Sequence, residues 1–68
     1  MWIKDDKEHN VSDVITDLML DTKDAIVYSF KLEEDSNVIY TVNRATILGV
    51  PSDILANVYD IKKWKKGE

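Results

Sequence analysis

Residues 25–47 constrain the fold of this chain more than any other stretch. In two runs, AIVYSFKL and VIYTV, β-branched and aromatic residues recur at alternate positions, and a polar segment ending in Asp-Ser-Asn separates the runs. Hydrophobic alternation with a period of two on both sides of a polar turn predicts an antiparallel hairpin. Because a two-stranded hairpin is only marginally stable alone in water, we expect the flanking segments to cover one of its faces.

The segment before the hairpin has the spacing of an amphipathic helix. Apolar residues recur at positions i, i+3, i+4, i+7 and i+8 over residues 11–20. Asn10 or Ser12 is suited to cap this helix, and Asp13 in the first turn favours its positive end. Alternate residues of the same segment also fit a strand, which remains the alternative to the N-terminal helix. Residues 1–9 are then expected to form a charged lead-in.

The segment after the hairpin predicts a C-terminal helix over residues 52–66. Gly49 and Pro51 interrupt the chain, and Ser52 is suited to cap the helix that follows. Lysines gather at the C-terminal end, where the negative end of a helix dipole favours cations. The apolar stripe of this helix would consist of Ile54, Leu55, Val58, Ile61 and Trp64.

These elements together predict a small α+β domain spanning residues 1–68. Its centre is a β-hairpin, or a short antiparallel meander if residues 14–20 form a strand, packed by the C-terminal helix and joined by an N-terminal helix. The predicted core consists of Val14, Leu18, Ile26, Tyr28, Phe30, Val38, Tyr40, Val42, Ile54, Leu55, Val58 and Ile61.

The size of the chain makes a partner subunit an expected source of stability. A domain of this length buries only about 60% of the surface that its unfolded chain exposes. Small scaffolds commonly add disulfides, a metal or a second subunit, and this chain has no cysteine and one histidine. A homodimer that pairs through the edge of the hairpin at residues 38–42 is one expectation, since nothing in that stretch protects the edge.

Charge is distributed unevenly along the chain. The net charge is −4, but residues 1–37 carry ten carboxylates against four lysines, whereas residues 38–68 carry three carboxylates against five bases. If residues 11–20 are helical, three aspartates recur every four residues, about 6 Å apart along the axis, a spacing able to imitate nucleic-acid phosphates. The candidate partner-binding residues are Asp13, Asp17, Asp21, Asp24, Glu33, Glu34 and Asp35.

The first functional hypothesis follows from this acidic half. It is a small acidic binding protein without enzymatic activity, which acts by protein–protein contact on a partner with a basic surface. Regulators and inhibitors of this size and composition are typical of phages and mobile elements. Such asymmetry in charge bears on the choice of partner and not on the fold.

The second hypothesis concerns the basic end of the chain. The spacing of Ala45, Gly49 and Leu55 matches the small residue, turn glycine and buried aliphatic residue of a helix-turn-helix. The run YTVNRATILGVPSDIL resembles the opening of winged-helix regulators of the mercury-resistance and excisionase type. This resemblance implies a DNA-binding regulator that uses residues 49–66. The candidate nucleic-acid-binding residues are Arg44, Asn57, Lys62, Lys63, Trp64, Lys65 and Lys66.

Enzymatic chemistry is not expected. His9 is the only imidazole, and it lies in the charged lead-in, so neither a His-dependent nucleophile nor a multi-histidine metal site is predicted. The chain has two glycines and no phosphate-binding glycine loop, and no cofactor or metal is expected. The first ten residues contain no apolar run, and no stretch approaches the length of about 20 residues that spans a bilayer. We therefore expect a cytoplasmic protein that does not enter a membrane.

Overall fold

One antiparallel sheet of four strands forms the centre of the molecule, in a computed structural model that describes residues 1–67. In chain order its strands are β1 (Trp2–Asp5), β2 (Ile26–Lys31), β3 (Tyr40–Val42) and β4 (Tyr59–Lys66). Across the sheet they lie in the order β1-β4-β2-β3, so the last strand of the chain pairs on both sides. Within the described residues, three helices complete the α+β fold: α1 (Val11–Leu20), α2 (Arg44–Ile47) and α3 (Ser52–Leu55).

The C-terminal helix predicted over residues 52–66 is wrong beyond its first turn. Helix α3 ends at Leu55, and the chain then enters β4, which pairs with β1 and with β2. A central strand gains backbone hydrogen bonds on both of its sides, which a helix on the surface would not provide. Lysines at 62, 63, 65 and 66 would crowd at i, i+3 and i, i+4 on a helix, whereas a strand sends them to opposite faces.

The second strand of the predicted hairpin is shorter than expected. Strand β3 ends at Val42, and Asn43 caps α2, its side-chain oxygen accepting a hydrogen bond of 3.0 Å from the backbone N–H of Thr46. An Asn cap satisfies one of the unpaired N–H groups of a helix end, which favours a helical turn over a continued strand. The strand predicted for residues 43–47 is therefore wrong. Residues 32–39 form the connection between β2 and β3.

A helix occupies residues 11–20, and the strand alternative does not hold there. Asn10 and Asp13 form a reciprocal capping box, in which each side chain accepts a hydrogen bond from the backbone of the other residue. This helix is the second element of the chain, because the predicted lead-in contains β1. Pairing of Trp2 with Lys66 and of Asp5 with Lys63 gives β1 its place at one edge of the sheet.

The buried core lies between the helices and one face of the sheet. Tyr28 and Phe30 of β2 point to this side, whereas the residues between and beside them are only partly buried. Of the predicted core, Val38 and Tyr40 are exposed because β3 is short and lies at an edge, and Ile54 of α3 is also exposed. The buried hydrophobic residues are Val14, Leu18, Tyr28, Phe30, Val42, Ile47 and Leu55.

Candidate functional site

The register of β4 divides its lysines between the two faces of the sheet. Tyr28 of β2 lies opposite Lys63, and both side chains are buried on the side that the helices cover. Successive residues of a strand point to opposite faces. Lys62, Trp64 and Lys66 therefore lie on the other face, where none of the buried core residues lies.

The neighbouring strands complete this second face. Trp2 of β1 pairs with Lys66, and Lys4 pairs with Trp64, so both β1 side chains share the face with their partners. On the other side of β4, Val27 lies opposite Trp64. We call this surface the lysine–tryptophan face, and it consists of Trp2, Lys4, Val27, Ser29, Lys62, Trp64 and Lys66.

Side-chain contacts hold the two indole rings in place. The Nε1–H group of Trp64 donates a hydrogen bond of 3.3 Å to Oγ of Ser29. The ammonium of Lys66 lies 5.6 Å from the centre of the Trp2 ring, within the range of a cation–π interaction. Trp2 is 41% exposed and Trp64 is partly exposed, so both rings present surface to solvent.

The charge of this face is opposite to that of the whole chain. Within residues 1–67, no carboxylate lies at ion-pairing distance from Lys4, Lys62 or Lys66. Lys31 of β2, in contrast, forms an ion pair, because its ammonium lies 3.0 Å from the Asp60 carboxylate. The hydrogen bond and the charge of Lys31 hold the pKa of Asp60 below the usual value. The face thus presents three cations on a protein whose net charge is −4.

On the helix-covered face, charged side chains form a hydrogen-bonded network inside the fold. One oxygen of Asp17 in α1 accepts hydrogen bonds from the Tyr28 hydroxyl at 2.5 Å and from the Lys63 ammonium at 2.6 Å. Burial acts to raise the pKa of Asp17, but the hydrogen bonds from Lys63 and Tyr28 outweigh it and hold that pKa below the usual value. Burial and the nearby Asp17 charge raise the pKa of Tyr28, which therefore stays protonated. This network fastens α1 to the sheet.

Asp21 fastens the other end of α1. Its carboxylate accepts hydrogen bonds from the backbone N–H groups of Lys23, Ala25 and Ile26, at 3.0, 3.3 and 3.2 Å. These bonds, above all the one from Lys23, hold the pKa of Asp21 below the usual value. The carboxylate satisfies backbone donors in the turn that leads from the helix into β2.

The acidic residues singled out from the sequence therefore fall into two groups. Asp17 and Asp21 are engaged within the fold, and Asp13 belongs to the capping box of α1. The others are exposed on the turn before β2 and on the connection after it. This exposed group consists of Asp24, Glu33, Glu34 and Asp35.

The basic residues singled out from the sequence are also divided. Lys62, Trp64 and Lys66 lie on the lysine–tryptophan face, whereas Lys63 and Lys65 lie on the opposite side of β4.

The other two candidate residues lie outside β4. Arg44 is the first residue of α2 and is exposed. Asn57 follows α3 and is also exposed, and its side-chain amide donates a hydrogen bond of 2.9 Å to a backbone carbonyl.

Sequence reasoning missed the contribution of β1. Trp2 and Lys4 have the same parity as Trp64 and Lys66, but the segment is four residues long and half of it is charged. A pattern this short does not distinguish a strand from an irregular lead-in. The alternation of Trp and Lys at positions 2 and 4, repeated at 64 and 66, is the feature that could have indicated a shared face.

Two further groups of residues bear on enzymatic and membrane functions. His9 is buried against Tyr28, with ring centres 5.4 Å apart in an edge-to-face arrangement, and its Nε2 atom lies 3.8 Å from the Asp5 carboxylate. In the part of the chain that the structure describes, no three His, Asp or Glu side chains are grouped to hold a metal ion. No helix among residues 1–67 is long and apolar enough to cross a membrane.

Together, fold and site define a two-layer α+β protein whose sheet has one face covered by helices and one open face with cations and aromatic rings. No protein family, curated protein or solved structure matches the chain.

Proposed function

We propose that this is a non-enzymatic binding protein that binds single-stranded nucleic acid on its lysine–tryptophan face. The observation that carries the proposal is the presence on one sheet face of two tryptophan rings and of three lysines that form no ion pair within residues 1–67. Lysines neutralise backbone phosphates, and aromatic side chains stack on bases without requiring a particular sequence.

The shape of the face favours single strands over duplexes. A helix or narrow ribbon that projects from a protein can enter the major groove of DNA, whereas the lysine–tryptophan face belongs to a four-stranded sheet. Unstacked bases of a single strand can reach rings on an open sheet, as bases in a duplex cannot. The partly exposed indoles of Trp2 and Trp64 are therefore suited to unpaired bases.

The remaining acidic surface restricts binding to one side. Exposed carboxylates on the helix side and on the connection after β2 repel phosphates, because the local field and not the net charge acts on a nearby ligand. At an ionic strength of 0.1 M, salt largely screens interactions between exposed charges that are more than about 10 Å apart. We therefore expect binding that is weak to moderate and strongly dependent on salt.

Fluorescence anisotropy of a labelled oligothymidylate of about 12 nucleotides, within the site sizes common for small domains, tests the proposal. If all three lysines contact phosphates, log K should fall with log[salt] with a slope of about −2. A duplex of the same length should bind more weakly. The absence of binding to any single strand at low salt would contradict the proposal.

A matched pair of variants locates the site. Lys66→Ala should weaken oligonucleotide binding and make the salt slope shallower, whereas Lys65→Ala should leave both nearly unchanged. The two lysines are adjacent in one exposed strand segment but lie on opposite faces of the sheet. Equal losses in the two variants would show that net charge, and not this face, determines binding.

A second candidate function rests on the exposed acidic connection after β2. Glu33, Glu34 and Asp35 are consecutive and exposed, and they are suited to meet a basic surface on another protein. In this proposal the chain regulates or inhibits its partner by contact. Binding of an identified basic partner should then be lost on changing the three residues to Gln, Gln and Asn and kept in Lys62→Ala; the reverse pattern would reject this candidate.

A further inference from the structure

The two outer edges of the sheet differ in chemistry. Strand β1 carries Lys4 and Asp5 at its edge, and charged residues at an edge discourage pairing with another strand. Strand β3, Tyr40–Val42, carries no charge. It pairs with β2 on one side only, and within residues 1–67 no other strand covers its outer backbone groups.

An apolar groove runs beside β3 on the helix side of the sheet. Its volume is about 240 Å³, and its lining includes Phe30, Tyr40, Val42, Val50 and Ile54. The ring of Tyr40 stacks on that of Phe30 with centres 6.1 Å apart, yet the residue is 45% exposed. The groove therefore leaves apolar surface uncovered next to an unpaired strand edge.

The chain itself provides an extended apolar segment that fits this edge. Val38 and Ile39, which lead into β3, are each 56% exposed. Residues 38–42 thus form an apolar stretch that is open along one side. A second copy of the chain offers the same stretch in the same conformation, which is the requirement for a twofold interface.

We infer that two copies pair through antiparallel β3 strands about a twofold axis at Thr41. This is the register that pairs all three residues of the strand, because Tyr40 of each copy then lies opposite Val42 of the partner subunit. Both residues point to the helix side, where Val42 is buried and Tyr40 lines the groove. Pairing therefore covers the groove of each copy with apolar side chains of the other.

Charge near the edge is compatible with this arrangement. Antiparallel pairing places the start of one segment beside the end of the other. Glu34 and Asp35, which precede β3, then lie on the same side of the axis as Arg44 of the partner subunit, which follows it. The opposite signs favour association, and they do so twice because the interface is symmetric.

The dimer would form one sheet of eight strands. The axis of an antiparallel strand pair is perpendicular to the sheet, so both helix layers lie on one side and both lysine–tryptophan faces on the other. The two β4 strands are separated by five strand spacings, about 24 Å. Dimerisation itself does not rest on the proposed function, because it is measured without nucleic acid.

Sedimentation equilibrium over a range of concentrations tests the dimer. The full chain should show a reversible monomer–dimer equilibrium, which the double variant Val38→Lys, Ile39→Lys should abolish. The double variant Met19→Lys, Leu20→Lys is the matched control, because it adds the same two charges at adjacent exposed residues at the end of α1 and should dimerise normally. A monomeric wild-type chain, or a double variant that dimerises as strongly as wild type, would overturn the inference.

A cross-linking experiment tests the register and does not depend on destabilising the fold. The chain has no cysteine, so a single exposed cysteine reports only on its own position. Thr41→Cys, on the axis, should form a disulfide-linked dimer under mild oxidation, since directly opposite Cβ atoms lie about 5 Å apart. Leu48→Cys, also exposed, should not. Equal cross-linking of both variants would reject the proposed axis.

Discussion

Lys62 and Lys63 are adjacent in the sequence, but the sheet gives them opposite environments. Lys63 is 8% exposed and donates to Asp17 across the covered face, whereas Lys62 is exposed on the open face and forms no ion pair within residues 1–67. The same residue type thus contributes to stability on one face and is available for binding on the other. Composition alone does not reveal this difference, which depends on the parity of the strand.

The aromatic residues of the two faces differ in the same way. Tyr28 is fully buried, and its hydroxyl belongs to the network that fastens α1 to the sheet. Trp64 keeps one side toward solvent while its Nε1–H group is held by Ser29. Changes on the covered face should therefore reduce the free energy of unfolding, and changes on the open face should reduce binding.

The largest expected effect belongs to the centre of the covered face. Leu18→Ala removes a side chain that is 0% exposed and should lower the free energy of unfolding by about 2–5 kcal/mol. Leu20→Ala, at a 73% exposed position of the same helix, should change it by less than about 0.5 kcal/mol. Urea unfolding followed by circular dichroism measures both. Similar losses in the two variants would show that α1 does not pack in the orientation described.

The adjacent lysines provide the sharpest contrast between the faces. Lys63→Met leaves the Asp17 carboxylate with one hydrogen bond fewer at a partly buried site and should cost about 1–3 kcal/mol. Lys62→Met should cost less than about 0.5 kcal/mol but weaken oligonucleotide binding. Urea unfolding and anisotropy on the two variants separate the effects. A larger loss of stability in Lys62→Met than in Lys63→Met would contradict the assignment of the two lysines to opposite faces of the sheet.

A smaller effect is expected at the start of the helix that covers the sheet. Asn10→Ala removes one side of the capping box and should cost about 1 kcal/mol. Ser12→Ala is the control, since Ser12 is exposed and takes no part in the box. Thermal unfolding of both variants measures the difference. Equal melting temperatures would indicate that the cap makes no contribution to stability.

Protonation of the engaged aspartates should have the smallest effect per residue on the free energy of unfolding. The pKa values of Asp17 and Asp21 are held below the usual value in the fold, so their stabilising contribution is complete above the unfolded value of about 3.9. It is lost as the pH falls through the lower, folded values. Urea midpoints measured from pH 7 to pH 2 should fall only in the acidic part of the range, and less so in Asp21→Asn. A midpoint that rises on acidification would contradict these shifts.

The sequence was informative where local patterns and tertiary structure agree. Residues 11–20 carry both a helical apolar spacing and a capping box, and alternation in β2 identified Tyr28 and Phe30 as core residues. The prediction for the end of the chain was wrong because Ile54, Val58 and Ile61 also match the apolar stripe of a helix. The end of the chain forms β4 because it pairs with two other strands, one of them 60 residues away in sequence. Contacts between such distant segments leave no local pattern in the sequence.

Prediction of the candidate site from the sequence was limited in the same way. Lys62, Trp64 and Lys66 were singled out from the sequence, but on the face of a helix and together with Lys63. Their separation from Lys63 and their union with Trp2 follow from strand register, which depends on contacts between distant segments. The engagement of Asp17 by Lys63 likewise required the sheet before it could be recognised.

The difference between the two faces is tested most directly by recording ¹H–¹⁵N spectra during titration with an oligothymidylate at low salt. The indole N–H signals of Trp2 and Trp64, and the backbone amides of β4, should shift progressively, while the amides of α1 stay in place. Shifts confined to α1 and to residues 33–35, or no shift at all, would contradict the assignment of binding to the open face.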